Sequence, residues 1–173
     1  IKTAMVDSVG KPAVFTATTY KTLQGVADID GAQFVEEFKD HLFFGKADLV
    51  SFCVPFDEDD FQAGNGAGNY RLPSLCSGII TFREQLINFS QTDIRKLEGT
   101  SLANFSLTTI TKDIGCISGD TVQEVGGDIL FLGPDGVRFL GATDRIGDFN
   151  LSLASRAIQE NFKDFINPAA SYS

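Results

Sequence analysis

The sequence has no tryptophan, one methionine and one histidine, and its 14 Lys and Arg are outnumbered by 23 Asp and Glu. Each shortage argues against a class of function. With a net charge of −9, and with Lys39, Arg83, Arg95, Lys96, Arg138 and Arg145 scattered among acids, no basic patch exists to track phosphates. Nucleic acid and anionic membrane are therefore not expected as partners. A lone histidine, His41, leaves a triad or a His-based metal site without partners at a usable spacing. No apolar run approaches the length of a membrane-spanning helix, and no signal-peptide pattern opens the chain. Cys53, Cys76 and Cys116 are odd in number and widely spaced. They read as small buried hydrophobes of a reducing compartment rather than as a disulfide framework.

What is abundant is phenylalanine, with 16 copies against three tyrosines. Phe fills an interior without needing a hydrogen-bond partner there. A chain that is 43% hydrophobic and 21% charged has the composition of a folded domain.

The Phe residues also recur. Phe38 to Phe61 aligns with Phe82 to Phe105 without a gap at a spacing of 44, and Phe149 follows Phe105 by 44 again. Each copy leads from a polar pair into an apolar strand: Leu42–Phe44, Leu86–Phe89, Ile129–Leu132. A short turn follows (Gly45–Asp48, Ser90–Asp93, Gly133–Gly136), then a second strand (Leu49–Val54, Ile94–Leu97, Val137–Leu140). Gly-Pro-Asp-Gly at 133–136 is a strong turn signal, since Pro presets φ and Gly accepts positive φ. Further strands at Ser77–Phe82 and Thr121–Val125 precede the second and third hairpins, and Ala13–Thr19 with Lys21–Ala27 reads as one more hairpin. Four strands in about 44 residues is the size of a β-propeller blade. The fold class expected is mainly β, with antiparallel hairpin repeats; a β-sandwich of similar hairpins is the alternative.

The expected organisation is a single β-repeat domain over 1–173, with units at 1–37 (partial), 38–81, 82–124 and 125–150. A short turn of helix fits Asp30–Lys39, and a C-terminal helix fits 151–166, where Ala154, Ala157, Ile158, Phe162 and Phe165 share a face before Asn167-Pro168. The chain begins at Ile1 within a strand-like pattern, which leads us to expect an excerpt of a longer polypeptide.

No motif carries chemistry. His41 occupies the polar position that Gln85 and Asp128 take in the other copies. Asp57-Glu58-Asp59-Asp60 lacks the alternating ligands, Gly and final Glu of a calcium loop and reads as a solvated acidic loop. Gly64–Asn69 has neither the preceding strand nor the following helix of a phosphate-binding fingerprint and reads as an inter-strand loop. Gly126-Gly127 reads as a bulge or a tight lead into a strand. The glycosylation sequons at Asn88, Asn104 and Asn150 read as chance matches. No Gly-x-Ser-x-Gly elbow is present. Catalytic, cofactor-binding and metal-binding residues are therefore all expected to be none, and the protein is expected not to be an enzyme.

Two stretches carry a family resemblance. One is His41–Phe61 followed by Phe82–Phe89; the other is Gly115–Arg138, containing Gly-Cys-Ile-Ser-Gly-Asp, followed by Thr143–Phe149. Over about residues 34–162 the chain resembles virion structural proteins of tailed phages, especially marine and cyanobacterial ones. It is similar in style to the β-propeller of short-tail nozzle and tail-hub proteins. The resemblance implies a virion component that assembles through β-rich faces into a ring or tube, with copies of itself and other virion proteins as partners and no cofactor. A ligand- or glycan-binding propeller or sandwich used in host attachment is the alternative, with Tyr20, Tyr70 and Tyr172 as its aromatic candidates.

Overall fold

The computed structural model describes residues 29–142 in one run, together with the backbone of flanking strands at 3–6, 12–15, 20–22 and 149–153. All sheets are antiparallel meanders in which each strand pairs with its neighbour in sequence. A three-stranded sheet holds β1 (Thr3–Val6), β2 (Pro12–Phe15) and β3 (Tyr20–Thr22). The first four-stranded sheet holds β4 (Phe34–Phe38), β5 (His41–Lys46), β6 (Leu49–Phe52) and β7 (Gly68–Arg71). The second holds β8 (Cys76–Phe82), β9 (Gln85–Ser90), β10 (Ile94–Glu98) and β11 (Ser106–Thr111). The third holds β12 (Gln123–Val125), β13 (Asp128–Gly133), β14 (Gly136–Ala142) and β15 (Phe149–Leu153).

The first hairpin of each four-stranded sheet turns on two residues of positive φ: Lys39 and Asp40 (50° and 65°), Arg83 and Glu84 (47° and 63°), Gly126 and Gly127 (61° and 84°). Two left-handed residues match the right-handed twist of the flanking strands. For a non-glycine residue this conformation costs roughly 1–2 kcal/mol, and contacts between neighbouring turns offset it. Lys39 stacks over Phe38 and pairs with the Glu84 carboxylate. Arg83 stacks over Phe82 and donates from Nη2 to Gly127 O at 2.8 Å, 44 residues on. The cation at one turn thus reaches the equivalent turn of the next sheet.

Apolar residues on both faces of the inner strands explain the stacking. Phe43, Val50 and Phe52 pack against Cys76, Leu86 and Leu97 of the second sheet. Ile87, Phe89 and Ile94 point the opposite way and pack against Ile129, Phe131 and Leu140 of the third. On the far side of the first sheet, Phe44 packs with Ile29 and Ala32. A strand buried on both faces reads as a continuous apolar run, as Leu86–Phe89 does. Phe105 closes the seam between the first two sheets, lying against Phe38, Phe43 and Phe52, while Phe61 covers Phe44 on the far face of the first sheet.

Several expectations need correction. Asp30–Lys39 forms strand β4 rather than a helical turn. Phe34 and Phe38, four apart, share a face in either conformation, so their spacing could not discriminate, and pairing with β5 from Phe34↔Gly45 to Phe38↔His41 decides it. Gly68 and Asn69, read as loop, belong to β7. A Cβ at Gly68 would lie 2.8 Å from the Phe52 ring, so the strand packs here only with glycine. Of the two readings of Gly126-Gly127, the tight lead into a strand holds and the bulge does not: the pair turns the hairpin between β12 and β13. Phe149–Leu153 is a strand paired with β14, so the first residues assigned to the C-terminal helix are extended; residues 154–166 lie outside the described residues. The sheets span 34–71, 76–111 and 123–153, one strand out of phase with the sequence frame of 38–81, 82–124 and 125–150.

Candidate functional site

The residues singled out in the sequence do not converge. His41 is buried at the start of β5, edge-on to Phe43, Phe52 and Phe105. Its Nδ1 lies 2.6 Å from Cys53 O, so Nδ1 carries the proton and donates. Nε2 then faces the aromatic wall with no partner among the described residues. This is a core histidine.

The acidic loop satisfies itself: Asp57 Oδ1 accepts from Asp59 N, and Asp60 accepts from Gln62 N and Asn65 Nδ2. Among the described residues, no group of three or more His, Cys, Asp and Glu side chains is placed to hold a metal ion. The Gly64–Asn69 segment comprises part of a 3₁₀ turn at Ala63–Asn65 and the start of β7.

Asn88 is fully buried, accepting from Tyr70 OH at 2.7 Å and donating to Leu86 O, so that sequon is closed to a glycan. Tyr70 is likewise committed: it packs on the seam between the first two sheets, and burial pushes its phenol up from the ordinary range. It is not an exposed aromatic available to a sugar. Of the other two candidates, Tyr20 is placed as backbone in β3 and Tyr172 lies outside the described residues. All three cysteines are buried and free, and desolvation raises each thiol, that of Cys76 to about 12.

The feature the sequence did not disclose is an open cleft of about 770 Å³ where β4 and β8 begin. Its apolar wall is Phe34, Leu75 and Ile117; the last two are 50% and 44% exposed, unusual for large aliphatic residues. Its polar lining is Gln33, Gln91, Ser118 and Asp120 from three different segments, with Ser77 among them.

Ser77 is placed there by a β-bulge. Pairing of β8 with β9 jumps from Cys76↔Ser90 to Gly78↔Phe89, leaving Ser77 outside the ladder. Bulges re-aim side chains in this way, often beside functional sites. Ser77 is 7% exposed, and its Oγ has no hydrogen-bond partner among the described residues. The Ser77 hydroxyl lies beside the buried Cys116 thiol, which Ser118 O and Thr121 Oγ1 take up, and is itself closed off from the cleft.

The cleft is braced from behind. A 3₁₀ turn at Gly119–Thr121 crosses β8 so closely that a Cβ at Gly119 would lie 2.1 Å from Ser77 O and 2.5 Å from the Phe34 ring. Thr121 Oγ1 donates to Ser118 O at 2.6 Å and accepts from Leu132 N at 3.1 Å. Ile117 N donates to Leu132 O and Gln91 N to Leu75 O. No family model and no curated protein matches the sequence.

Proposed function

We propose that this chain is a non-enzymatic assembly module of a tailed-phage virion, a wedge of a β-propeller that joins copies of itself and other virion proteins into a ring or tube. The observation that carries this reading is the stacking. The first and second four-stranded sheets each bury apolar side chains on both faces, and equivalent turns touch at a spacing of about 44 residues. Such a stack extends by adding sheets. The third sheet presents the half-buried Leu130, Leu132 and Phe139 on the face opposite Ile129, Phe131 and Leu140; among the described residues none of these three belongs to a core cluster. In this reading that face takes the next sheet, from the same polypeptide or from a neighbour, and closure of the ring removes the open end. The phage context is supported by the resemblance over residues 34–162, and the virion is the location it implies.

The test is a charge placed on that face. Leu130→Asp combined with Phe139→Asp is expected to abolish assembly in sedimentation velocity while the circular dichroism of the β-sheets is retained. Unchanged assembly by a folded double variant would contradict the reading. A second reading, a glycan-binding module for host attachment, is favoured by one observation: the cleft around Ser77.

A further inference from the structure

We infer that the cleft between the starts of β4 and β8 and the Gly119–Thr121 turn is a binding site for a neutral oligosaccharide. The inference rests on the second, ligand-binding reading and not on assembly. A volume of about 770 Å³ falls within the roughly 300–1,000 Å³ typical of small-ligand sites.

The lining selects the chemistry. Among the described residues it contains no Lys, Arg or His, and besides the buried, neutral Cys76 thiol its ionisable side chain is the Asp120 carboxylate. Lys46 approaches the lining at Gly31 without belonging to it. Phosphate, sulfate or an acidic sugar would meet the repulsion of Asp120 there, in a protein already at −9. A cation would gain little from a single exposed carboxylate in a high dielectric. A purely apolar ligand would strand the amides of Gln33 and Gln91.

A saccharide meets both halves of the lining. Its hydroxyls both donate and accept, matching two amides, a carboxylate and the Ser118 hydroxyl. The C–H face of a pyranose covers Leu75 and Ile117 at the rim, where large aliphatic side chains are otherwise left in water. The cleft is open, so a chain can lie across it with its ends in solvent. The close crossing at Gly119 fixes the Gly119–Thr121 turn against β8 before the ligand arrives, which lowers the entropic cost of binding.

The test uses the full chain on an array of neutral oligosaccharides (glucans, mannans, galactans) alongside sialylated and sulfated ones. Titration calorimetry then follows, for wild type, Gln33→Ala with Gln91→Ala, and Asp120→Ala. Both glutamines are exposed, so their removal leaves the core intact, and a thermal melt of each variant verifies this. The expected result is binding of a neutral glycan that weakens at least tenfold in the double glutamine variant and severalfold in Asp120→Ala, with no anionic hit. Preference for anionic glycans, or neutral binding indifferent to the glutamine pair, would overturn the inference while leaving glycan binding in place. Binding to no saccharide at all would overturn both the inference and the ligand-binding reading.

Discussion

At Gly119 the backbone has no room for a side chain, whereas at Gly64 nothing lies within 4 Å of where a Cβ would be. The two positions make a controlled pair. Gly119→Ala must push the 3₁₀ turn off the β8 backbone, because the obstructing atom is Ser77 O rather than a flexible side-chain tip. A loss of about 1–3 kcal/mol is expected from such overpacking, read as a lowered urea midpoint. Gly64→Ala is expected to be neutral within about 0.5 kcal/mol. The cysteines provide a second check at this scale. Burial holds all three thiols in the neutral form, Cys76 most strongly, and the thiolate is the reactive species. At pH 8 the native protein is expected to react with a disulfide reagent over hours, and all three thiols within minutes in denaturant. Rapid native labelling of Cys76 would contradict the packing of the seam between the first two sheets. The sequence anticipated the burial of these cysteines but not the displacement of Ser77 from the β8–β9 ladder. Composition reports burial, whereas a bulge arises from the pairing of β8 with β9 and leaves no mark in Cys76-Ser77-Gly78.

Between elements, one ion pair reinforces the end of the β6–β7 ladder and another joins two hairpin turns of different sheets. Arg71 at the end of β7 holds Asp48, in the β5–β6 turn, below the usual carboxylate range; Lys39 does the same to Glu84 between hairpin turns. A carboxyl whose value is lowered on folding contributes stability above its ordinary value and loses it as pH falls through the lowered one. The urea midpoint is therefore expected to fall as pH drops below about 4, and Arg71→Gln is expected to flatten part of that decline. The effect is small because the partners are largely in water and screened by salt. An acid limb unaltered in Arg71→Gln would remove Asp48 as a contributor. Strand legibility follows the same division between interior and surface. β5 and β9 are evident as apolar runs because both faces are covered, and β13 because its outer face also carries Leu130 and Leu132. β11, Ser-Leu-Thr-Thr-Ile-Thr, merged with the polar loop because it lies at the sheet edge with alternating residues in solvent. The Lys39-Asp40 and Arg83-Glu84 turns were visible only as charged pairs, since their left-handed geometry is imposed by neighbouring turns and not by glycine.

For the whole molecule, the mainly β character and the 44-residue spacing were both available from the positions of sixteen Phe residues, whereas the phase of the sheets was not. A frame that starts at Phe38 cuts each sheet after its first strand, because the most regular sequence feature, the polar pair and the apolar run after it, sits at the first hairpin. The stacked sheets, the fixed sheet-to-sheet turn contacts and the third sheet's outer face together motivate the assembly reading, and the strongly acidic surface suits a particle component past which DNA slides without adhering. The most direct measurement of that reading is quantitative mass spectrometry of purified particles that encode this chain. The expected result is stoichiometric presence at a copy number that is a whole multiple of a tail, neck or hub ring symmetry. Absence of the chain from purified particles, or its presence only at trace levels, would contradict the assembly function.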